Sequence, residues 1–241
     1  DVSQQQATTR GIECPSCGTA LDVKLDTTKS IACRQCKAIV DVSQGVGGDL
    51  AFAKQAAARD VLAQPLIPLG STGALLLDET RATWQVVGYL VRQELDADDV
   101  EPPWTEYLLY SRAVGFAFLV NASEGWSWAV PLTGVPVVAG SKAAWQNRSY
   151  SKRYEYDSKV SYVLGELYWN VQRNHTTRHA DYASGQRRLN REQQADEVTW
   201  SEGRTIAAPV VAAAFGVQGI ADERRVALGD VRPAASGSLS P

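Results

Sequence analysis

Four cysteines constrain the N-terminal part of this chain more than any other feature. They form two CxxC pairs, Cys14 with Cys17 and Cys33 with Cys36, and fifteen residues separate the pairs. This spacing is typical of structural zinc sites, in which two tight turns together present four thiolates at the corners of a tetrahedron. Because all four ligands would be cysteine, the pattern predicts a structural Zn²⁺ ion with no open position for catalysis.

The cysteines define a predicted zinc ribbon over residues 12–42. We expect residues 20–25 and 30–32 to pair as a short hairpin between the two cysteine pairs. A unit of this size cannot hold a hydrophobic core, so it should depend on the metal for folding. Two disulfides or a redox-active CxxC pair are the alternatives to zinc. A nucleic-acid-binding ribbon is a further alternative, but the formal net charge of −3 argues against it.

The chain around the ribbon divides by composition. Polar residues 1–11 predict a disordered lead-in, and residues 43–68 predict a linker with a short helix beginning near residue 49. Residues 69–217 predict a β-rich domain, which contains a possible diverged repeat of residues 69–140 and 150–206. Residues 218–241 are rich in Pro, Ala, Ser and Gly and predict a linker or disordered tail.

Short runs of alternating or apolar residues, bounded by turn residues, predict the strands of this domain. We expect strands at residues 74–77, 84–91, 104–112, 113–121, 126–130, 150–157, 159–164, 163–171, 177–182 and 197–200. Residues 131–140 predict a loop, and residues 207–215 predict a short helix with Pro209 in its first turn. The fold class is therefore mainly β: a small four-cysteine zinc ribbon followed by a β-rich domain, with short helices. That domain would be either two related antiparallel sheets or a distorted barrel.

Residues 163–171, VLGELYWNV, predict a central strand that carries a glutamate among aromatic residues. The same combination recurs near residues 104 and 197. A carboxylate held against aromatic rings has a raised pKa and can act as an acid or base, or it can serve as a structural partner for arginine. We favour the structural role. The resulting candidates for a ligand or interaction site are Trp104, Glu106, Tyr107, Glu166, Tyr168, Trp169, Glu197 and Trp200.

Two further polar features have ordinary interpretations. His175 and His179 lie four residues apart, but their flanks are strand-like, so we expect two surface histidines beside a hairpin rather than a metal pair. The acidic residues between positions 96 and 101 lack the glycine and the ligand spacing of a calcium loop. They predict a solvated loop.

Taken together, these motifs resemble a bacterial family, domain of unknown function (DUF) 4178. The resemblance covers roughly residues 12–217. It is carried by the two CxxC pairs and by residues 68–70, 104–109, 115–119, 163–169, 181–182, 192 and 197–203. The chain departs from the family pattern at Asn174-His175, where members have Gly-Asp, and at residues 183–188, where members are Pro-rich. The resemblance implies a β-rich domain behind a zinc ribbon and no established activity.

The sequence contains no catalytic motif such as a phosphate-binding loop or a GxSxG elbow. We therefore expect a non-enzymatic interaction or scaffold protein with an unidentified protein partner. The alternative is a protein, or an enzyme, that binds a cation or polyamine through the Glu-aromatic clusters.

The cysteine pattern favours a reducing compartment. We therefore expect the protein in the cytoplasm, including the inner face of the membrane. No apolar run is long enough to span a bilayer. Because the chain contains no Met, we expect a processed protein or a fragment, which could associate with a membrane through segments outside it.

Overall fold

Antiparallel β-strands make up most of the structure, which is a computed structural model. It describes residues 10–44, 50–55, 64–95, 102–171, 175–195 and 197–220. One short helix lies in these ranges, so the predicted mainly β class is confirmed. Most of the predicted lead-in, part of the linker and nearly all of the predicted tail lie outside the described residues.

The strands vary in length from two residues to twenty. In chain order they are β1 (Arg10–Glu13), β2 (Ala20–Val23), β3 (Ser30–Ala32), β4 (Ile39–Asp41), β5 (Phe52–Ala53), β6 (Thr72–Leu77), β7 (Thr80–Leu95), β8 (Trp104–Ser111), β9 (Gly115–Ala122), β10 (Gly125–Pro131), β11 (Val137–Ala139), β12 (Lys142–Trp145), β13 (Arg148–Leu167), β14 (Thr176–Ser184), β15 (Arg187–Gln193) and β16 (Val198–Thr205). The helix α1 (Ala208–Phe215) follows β16.

Eight of these strands close into an antiparallel barrel. The strands β7 to β10 form one four-stranded meander, and β13 to β16 form a second. The two meanders join through their first strands, β7 with β13, and through their last strands, β10 with β16. Of the two predicted arrangements, the barrel is therefore correct. The duplication stays a prediction, although the two meanders have the arrangement that a duplicated unit would give.

Two glycines allow the long strands β7 and β13 to approach each other closely. Gly88 and Gly165 are directly opposed across this strand pair. A Cβ atom on Gly165 would overlap the carbonyl oxygen of Val87, and one on Gly88 would lie 2.6 Å from that of Glu166. Gly165 also has a φ of 76°, which other residues rarely adopt. Glycine at these positions sets the close crossing of the strands and the placement of Glu166.

The largest core cluster lies on one face of β7 to β10, where α1 covers it. The helix contributes Val211 and Phe215 to this cluster, and its backbone packs against Gly73 on β6. Pro209 lies at the start of α1, and Gly216 ends the helix in the left-handed conformation. The helix predicted at residues 207–215 is therefore confirmed, and it packs against β6 beside the barrel.

The ribbon strands pair differently from the prediction. β1 and β2 form a separate two-stranded sheet, whereas β3 pairs with β4 on one side and with β13 on the other. The predicted hairpin between residues 20–25 and 30–32 is thus wrong, because each of its arms has another partner. The helix predicted near residue 49 is also wrong where the structure describes it, since Phe52–Ala53 is the strand β5; its remaining residues lie outside the described ranges.

Three further differences concern the second half of the chain. The predicted strands at residues 150–157 and 159–164 are one continuous strand, β13, which ends at Leu167, so residues 168–171 lie beyond it. The strands β12 and β15 were not predicted, and β11 lies in the predicted loop.

Among the described residues, no helix has the length and apolarity needed to cross a membrane.

Candidate functional site

The four cysteine side chains converge at one point of the ribbon. All four Sγ atoms lie within 4.8 Å of one another, and the pairs Cys14–Cys36 and Cys17–Cys33 are each 3.7 Å apart. A tetrahedral site with Zn–S bonds of about 2.3 Å has S–S edges of about 3.8 Å. A disulfide requires an S–S distance near about 2.05 Å, and all four cysteines are free. The arrangement fits a bound metal ion and does not fit the two-disulfide alternative.

Backbone turns of the two cysteine pairs hold the thiols in place. In the first turn the N–H of Gly18 donates to the carbonyl of Cys14, and in the second the N–H of Lys37 donates to that of Cys33. Gly18 and Lys37 both have positive φ values, 73° and 61°. These turns leave the four Sγ atoms facing one another, which is the geometry that a four-thiolate ligand set requires.

The thiols differ in their surroundings. Cys14 is buried, and burial raises the pKa of its thiol to about 12, whereas hydrogen bonding from Thr19 lowers the pKa of the exposed Cys17 thiol to about 6. Hydrogen bonding from the backbone at Ala38 lowers the pKa of Cys36. A metal ion binds the thiolate form, so loading the site would release a proton from Cys14.

Glu166 joins the ribbon to the barrel. Its carboxylate is buried on β13, and its Oε2 accepts hydrogen bonds from the backbone N–H of Lys24 and Leu25, both at 3.1 Å, and from the hydroxyl of Thr28 at 2.7 Å. All three donors belong to the ribbon segment between the two cysteine pairs. The glutamate predicted as a candidate ligand residue therefore binds the ribbon of its own chain.

Gln55 makes a second connection between the ribbon and β13. Its buried side-chain amide donates to the carbonyls of Lys37 and Val163, at 2.7 and 2.8 Å, and its oxygen accepts from the N–H of Val163 at 2.8 Å. Lys37 directly follows the last cysteine ligand. The four-cysteine cluster is therefore connected to β13 both through the segment between the cysteine pairs and through the residue that follows Cys36.

Glu106 lies in a different buried group, centred on Arg92. The guanidinium donates through Nε to Glu106 at 3.0 Å and through Nη2 to Glu192 at 3.2 Å, and the indole of Trp104 donates to Glu106 at 2.8 Å. Arg92 is 5% exposed, and its Nη1 has no hydrogen-bond partner among the described residues. Two strands, β13 and β14, lie between the strands of Arg92 and Glu192, so this contact reaches across the concave side of the sheet.

A histidine extends this group along the same face. His179 is 2% exposed; its Nε2 is 2.8 Å from Ser158 Oγ, and its ring stacks on Tyr156 at 4.7 Å. Burial lowers the pKa of His179 to about 3, with Arg92 adding to the effect, so the imidazole is neutral at physiological pH. The prediction of two surface histidines is thus wrong for His179, whereas His175 is exposed as predicted.

A carboxylate completes the group, which we call the Arg92 cluster. Asn190 donates to Asp181 at 2.6 Å, and burial raises the pKa of Asp181 to about 6. The Arg92 cluster comprises Arg92, Trp104, Glu106, Tyr156, Ser158, His179, Asp181, Asn190 and Glu192. A cavity of about 220 Å³ shares Tyr156 with it and is otherwise lined by Glu94, Leu95, Glu155, Asp157 and Arg178.

The predicted candidate residues do not form one site. Glu106 and Glu166 have separate sets of partners, and Glu197 is exposed. Tyr107 stacks on Trp126 in the large core cluster, and Trp200 packs near Tyr182 in another. The three glutamates therefore have different surroundings.

The remaining two candidates pack together beyond the end of β13. Tyr168 lies 4.4 Å from Phe116, and Trp169 lies 5.9 Å from Phe118, measured between ring centroids. Both rings are half-buried and join a core cluster that also contains Ala32 and Ile39 of the ribbon. These aromatic residues therefore pack where the barrel meets the ribbon.

For several residues that form these sites, the sequence did not indicate that they lie together. Arg92, Ser158, Asp181, Asn190 and Glu192 lie on four different strands, and only the closure of the barrel brings them together. Gln55 stands in a stretch that predicted a helix. Alternation along each strand could have indicated an inward-facing polar residue, but it could not have identified the partner.

A closed eight-stranded antiparallel barrel carrying a four-cysteine ribbon is the class of protein that this fold and site define. The family model described as "Domain of unknown function (DUF4178)" matches residues 77–208, from the end of β6 to the start of α1, and the chain belongs to this family. The ribbon precedes the matched region. Comparison with curated proteins and with solved structures found no match.

Proposed function

We propose that this protein is a non-enzymatic interaction module in which a structural zinc ion stabilises the ribbon against the barrel. The observation that carries the proposal is the closed set of four convergent cysteine thiols, because it leaves no ligand position for substrate. Thiolate sulfur and tetrahedral geometry favour zinc over the hard cations that prefer oxygen. Free thiols in such proximity also support a reducing compartment such as the cytoplasm.

Metal analysis of the purified full chain tests the first part of the proposal. We expect one zinc per chain after purification under reducing conditions, and less than half of that amount in Cys14→Ser. Asp22→Asn is the control, because Asp22 is an exposed carboxylate on the ribbon strand β2 and is not one of the four cysteines. An iron–sulfur absorption spectrum, or a wild-type chain without stoichiometric metal, would contradict a structural zinc site.

An exposed edge strand supports the interaction role. β11 pairs only with β12 among the described strands, and it leaves Val137 and Val138 exposed by 70% and 45%; the preceding Val135 is 77% exposed. Unpaired backbone groups beside exposed valines can accept an extended strand from a protein partner. We infer that a partner binds here as an added strand.

Affinity purification of the full chain from its native host tests this surface. Val137→Asp should remove the co-purifying partner, because a charge on the apolar edge opposes strand addition. Val210→Asp is the matched control, since Val210 is an exposed valine on α1. Retention of the partner by Val137→Asp, or its loss from both variants, would contradict binding at β11.

The cavity beside the Arg92 cluster favours a second candidate function, binding of a small cation or polyamine. Its carboxylates outnumber its single arginine, and Tyr156 adds an aromatic face. Glu155 already pairs with Lys152 and Arg178, so Glu94 and Asp157 remain as the candidate anionic groups. This cavity does not include the three glutamates that the sequence predicted for such a site.

Thermal-shift measurements with spermidine, putrescine and divalent ions test the second candidate. A ligand that saturates the native state must raise the melting temperature. We expect the shift to disappear in Asp157→Asn and to persist in Glu197→Gln, which changes an exposed carboxylate outside the cavity. No shift at millimolar ligand would remove this candidate.

A further inference from the structure

The ribbon covers one end of β13 through strand pairing and through additional hydrogen bonds. β3 adds to this strand by pairing Ile31 with Glu166 and Ser30 with Leu167. Outside the ladder, the N–H of Lys29 donates to the carbonyl of Leu167 at 2.9 Å, and the N–H of Val171 donates to Ser30 Oγ at 3.0 Å. The contacts fall on one continuous segment of the barrel chain, residues 163–171, which we call the junction segment.

The ribbon groups that bind the junction segment belong to residues 24–31, which lie between the two cysteine pairs. The donors to Glu166 lie in the segment between the two cysteine pairs, and β3 ends immediately before Cys33. Gln55 binds the carbonyl of Lys37, one residue after Cys36. Contrary to the prediction that the ribbon holds no core, its buried residues form a small hydrophobic cluster, which includes Cys14 and Cys33. Loss of the metal would therefore disorder the same backbone that Glu166 and Gln55 bind.

We propose that metal occupancy at the four cysteines controls whether the junction segment is covered or exposed, with Glu166 as the residue that couples the two sites. When metal is bound, three neutral donors of the ribbon satisfy the buried Glu166 carboxylate. When metal is lost, those donors leave, the carboxylate is solvated, and the edge of β13 becomes accessible beside Tyr168 and Trp169. This inference rests on the proposed metal-binding function and adds a metal-dependent switch to it.

Coupling of this kind must be reciprocal. If bound metal stabilises the contacts of Glu166, then those contacts raise the affinity for metal by the same factor. Removing the carboxylate should therefore weaken metal binding even though Glu166 is not a ligand. Couplings between distinct sites are commonly worth a factor of about 5 to 150 in affinity.

Hydrogen–deuterium exchange on the full chain tests the exposure. Chelation of zinc under reducing conditions should accelerate exchange in peptides covering residues 163–171 at least tenfold, while residues 105–109 of β8, in the barrel core, keep their protection. Faster exchange confined to residues 20–42, with the junction segment unchanged, would overturn the inference and leave the structural metal site intact. Failure to bind zinc at all would overturn both.

Variants test the residue that couples the sites. Glu166→Ala should still bind one zinc per chain, but its affinity for zinc, measured by competition with a chromogenic chelator, should be about 5- to 150-fold lower. Its amides at residues 163–171 should exchange faster than those of the wild type even when zinc is bound. Glu155→Ala is the matched control, because Glu155 is an exposed carboxylate on the same strand. Gln55→Ala should lower affinity in the same direction, which guards against a folding defect specific to position 166. Wild-type zinc affinity in Glu166→Ala would overturn the coupling.

Discussion

The ribbon–barrel junction and the Arg92 cluster each bury an ionisable side chain on a barrel strand, but they stabilise it in opposite ways. Glu166 has no need of a counterion, because three neutral donors from a single ribbon segment surround one carboxylate oxygen. Arg92 is held by two carboxylates and retains an Nη1 group without a partner among the described residues. A buried charge paired with charges is costly to disrupt, since removing one partner leaves the other unpaired.

The two regions also differ in how far apart in the sequence the partners of the buried side chain lie. The donors to Glu166 span only residues 24 to 28, so folding of the ribbon brings all of them into place together. The partners of Arg92 lie on β8 and β15 and meet only when the whole barrel has closed. The junction should therefore respond to metal, and the Arg92 cluster should respond to mutation of the barrel.

Metal removal should have the largest effect and should act on one region alone. Apparent binding free energies of structural zinc are about 10–16 kcal/mol in isolated zinc-binding peptides, so chelation should unfold the ribbon. The barrel should stay folded, because its largest core cluster contains no ribbon residue. Near-ultraviolet circular dichroism and exchange of the β1–β4 amides measure the two responses. Cooperative unfolding of the entire chain on chelation would show that the regions are not separable.

Glu106→Ala should produce the next largest effect, this time in the barrel. Removing one partner from a buried ion pair costs about 3–5 kcal/mol, because the remaining charge is uncompensated. Urea denaturation measures the fall in the free energy of unfolding. Glu155→Ala is the control, since an exposed pair contributes only about 0–1 kcal/mol. Equal losses in the two variants would contradict a buried, strongly coupled Arg92 cluster.

Sequence reasoning predicted the parts of this protein that depend on local patterns. Cys14 and Cys36 could be assigned to one site because ligand spacing within a turn is a local property, and α1 could be placed because Pro209 and Gly216 mark its ends. The barrel strands followed from alternation along each segment. The hairpin predicted for the ribbon failed because β3 pairs with the strand that follows it, β4, and with the distant strand β13, instead of with β2.

Long-range contacts could not be predicted from the same patterns. His179 stands among polar residues in the sequence, and nothing local distinguishes it from an exposed side chain such as His175. In the folded barrel its ring lies 6.1 Å from that of Trp104, which belongs to the distant strand β8. Similarly, Glu166 carries the same Glu-aromatic signature as Glu106, yet pairing in the fold gives the two glutamates different partners. Register between strands, which decides such partners, is a property of the closed barrel.

The pH dependence of stability should reveal two opposing groups within the Arg92 cluster. Burial lowers the pKa of His179 to about 3, so its contribution is complete above the unfolded value of about 6.5 and is lost as pH falls. Burial raises the pKa of Asp181 to about 6, so its contribution is present below the unfolded value of about 4 and is lost as pH rises. Between about pH 4 and about pH 6 the two effects oppose each other.

Single substitutions should separate these effects. In Asp181→Asn the free energy of unfolding should rise with pH more steeply than in wild type between about pH 4 and about pH 6, by at most about 1.4 kcal/mol per pH unit. In His179→Asn it should rise less steeply or fall. Urea denaturation at four pH values measures the slopes. Slopes that change in the same direction in both variants would contradict the assigned protonation states, since the surrounding Arg92, Glu106, Tyr156 and Glu192 are common to both.

Glu197→Gln should have the smallest effect on stability, because Glu197 belongs neither to the ribbon–barrel junction nor to the Arg92 cluster. Glu197 is exposed and is a partner neither of Arg92 nor of the ribbon among the described contacts, so the free energy of unfolding should change by no more than about 0.5 kcal/mol. Its charge still acts at a distance: burial raises the pKa of Tyr168 to about 12, and Glu192 and Glu197 add to the increase. Removing the charge should lower that pKa slightly, which ultraviolet titration of the tyrosines can follow. A loss of stability above about 1.5 kcal/mol would contradict an exposed, solvated Glu197.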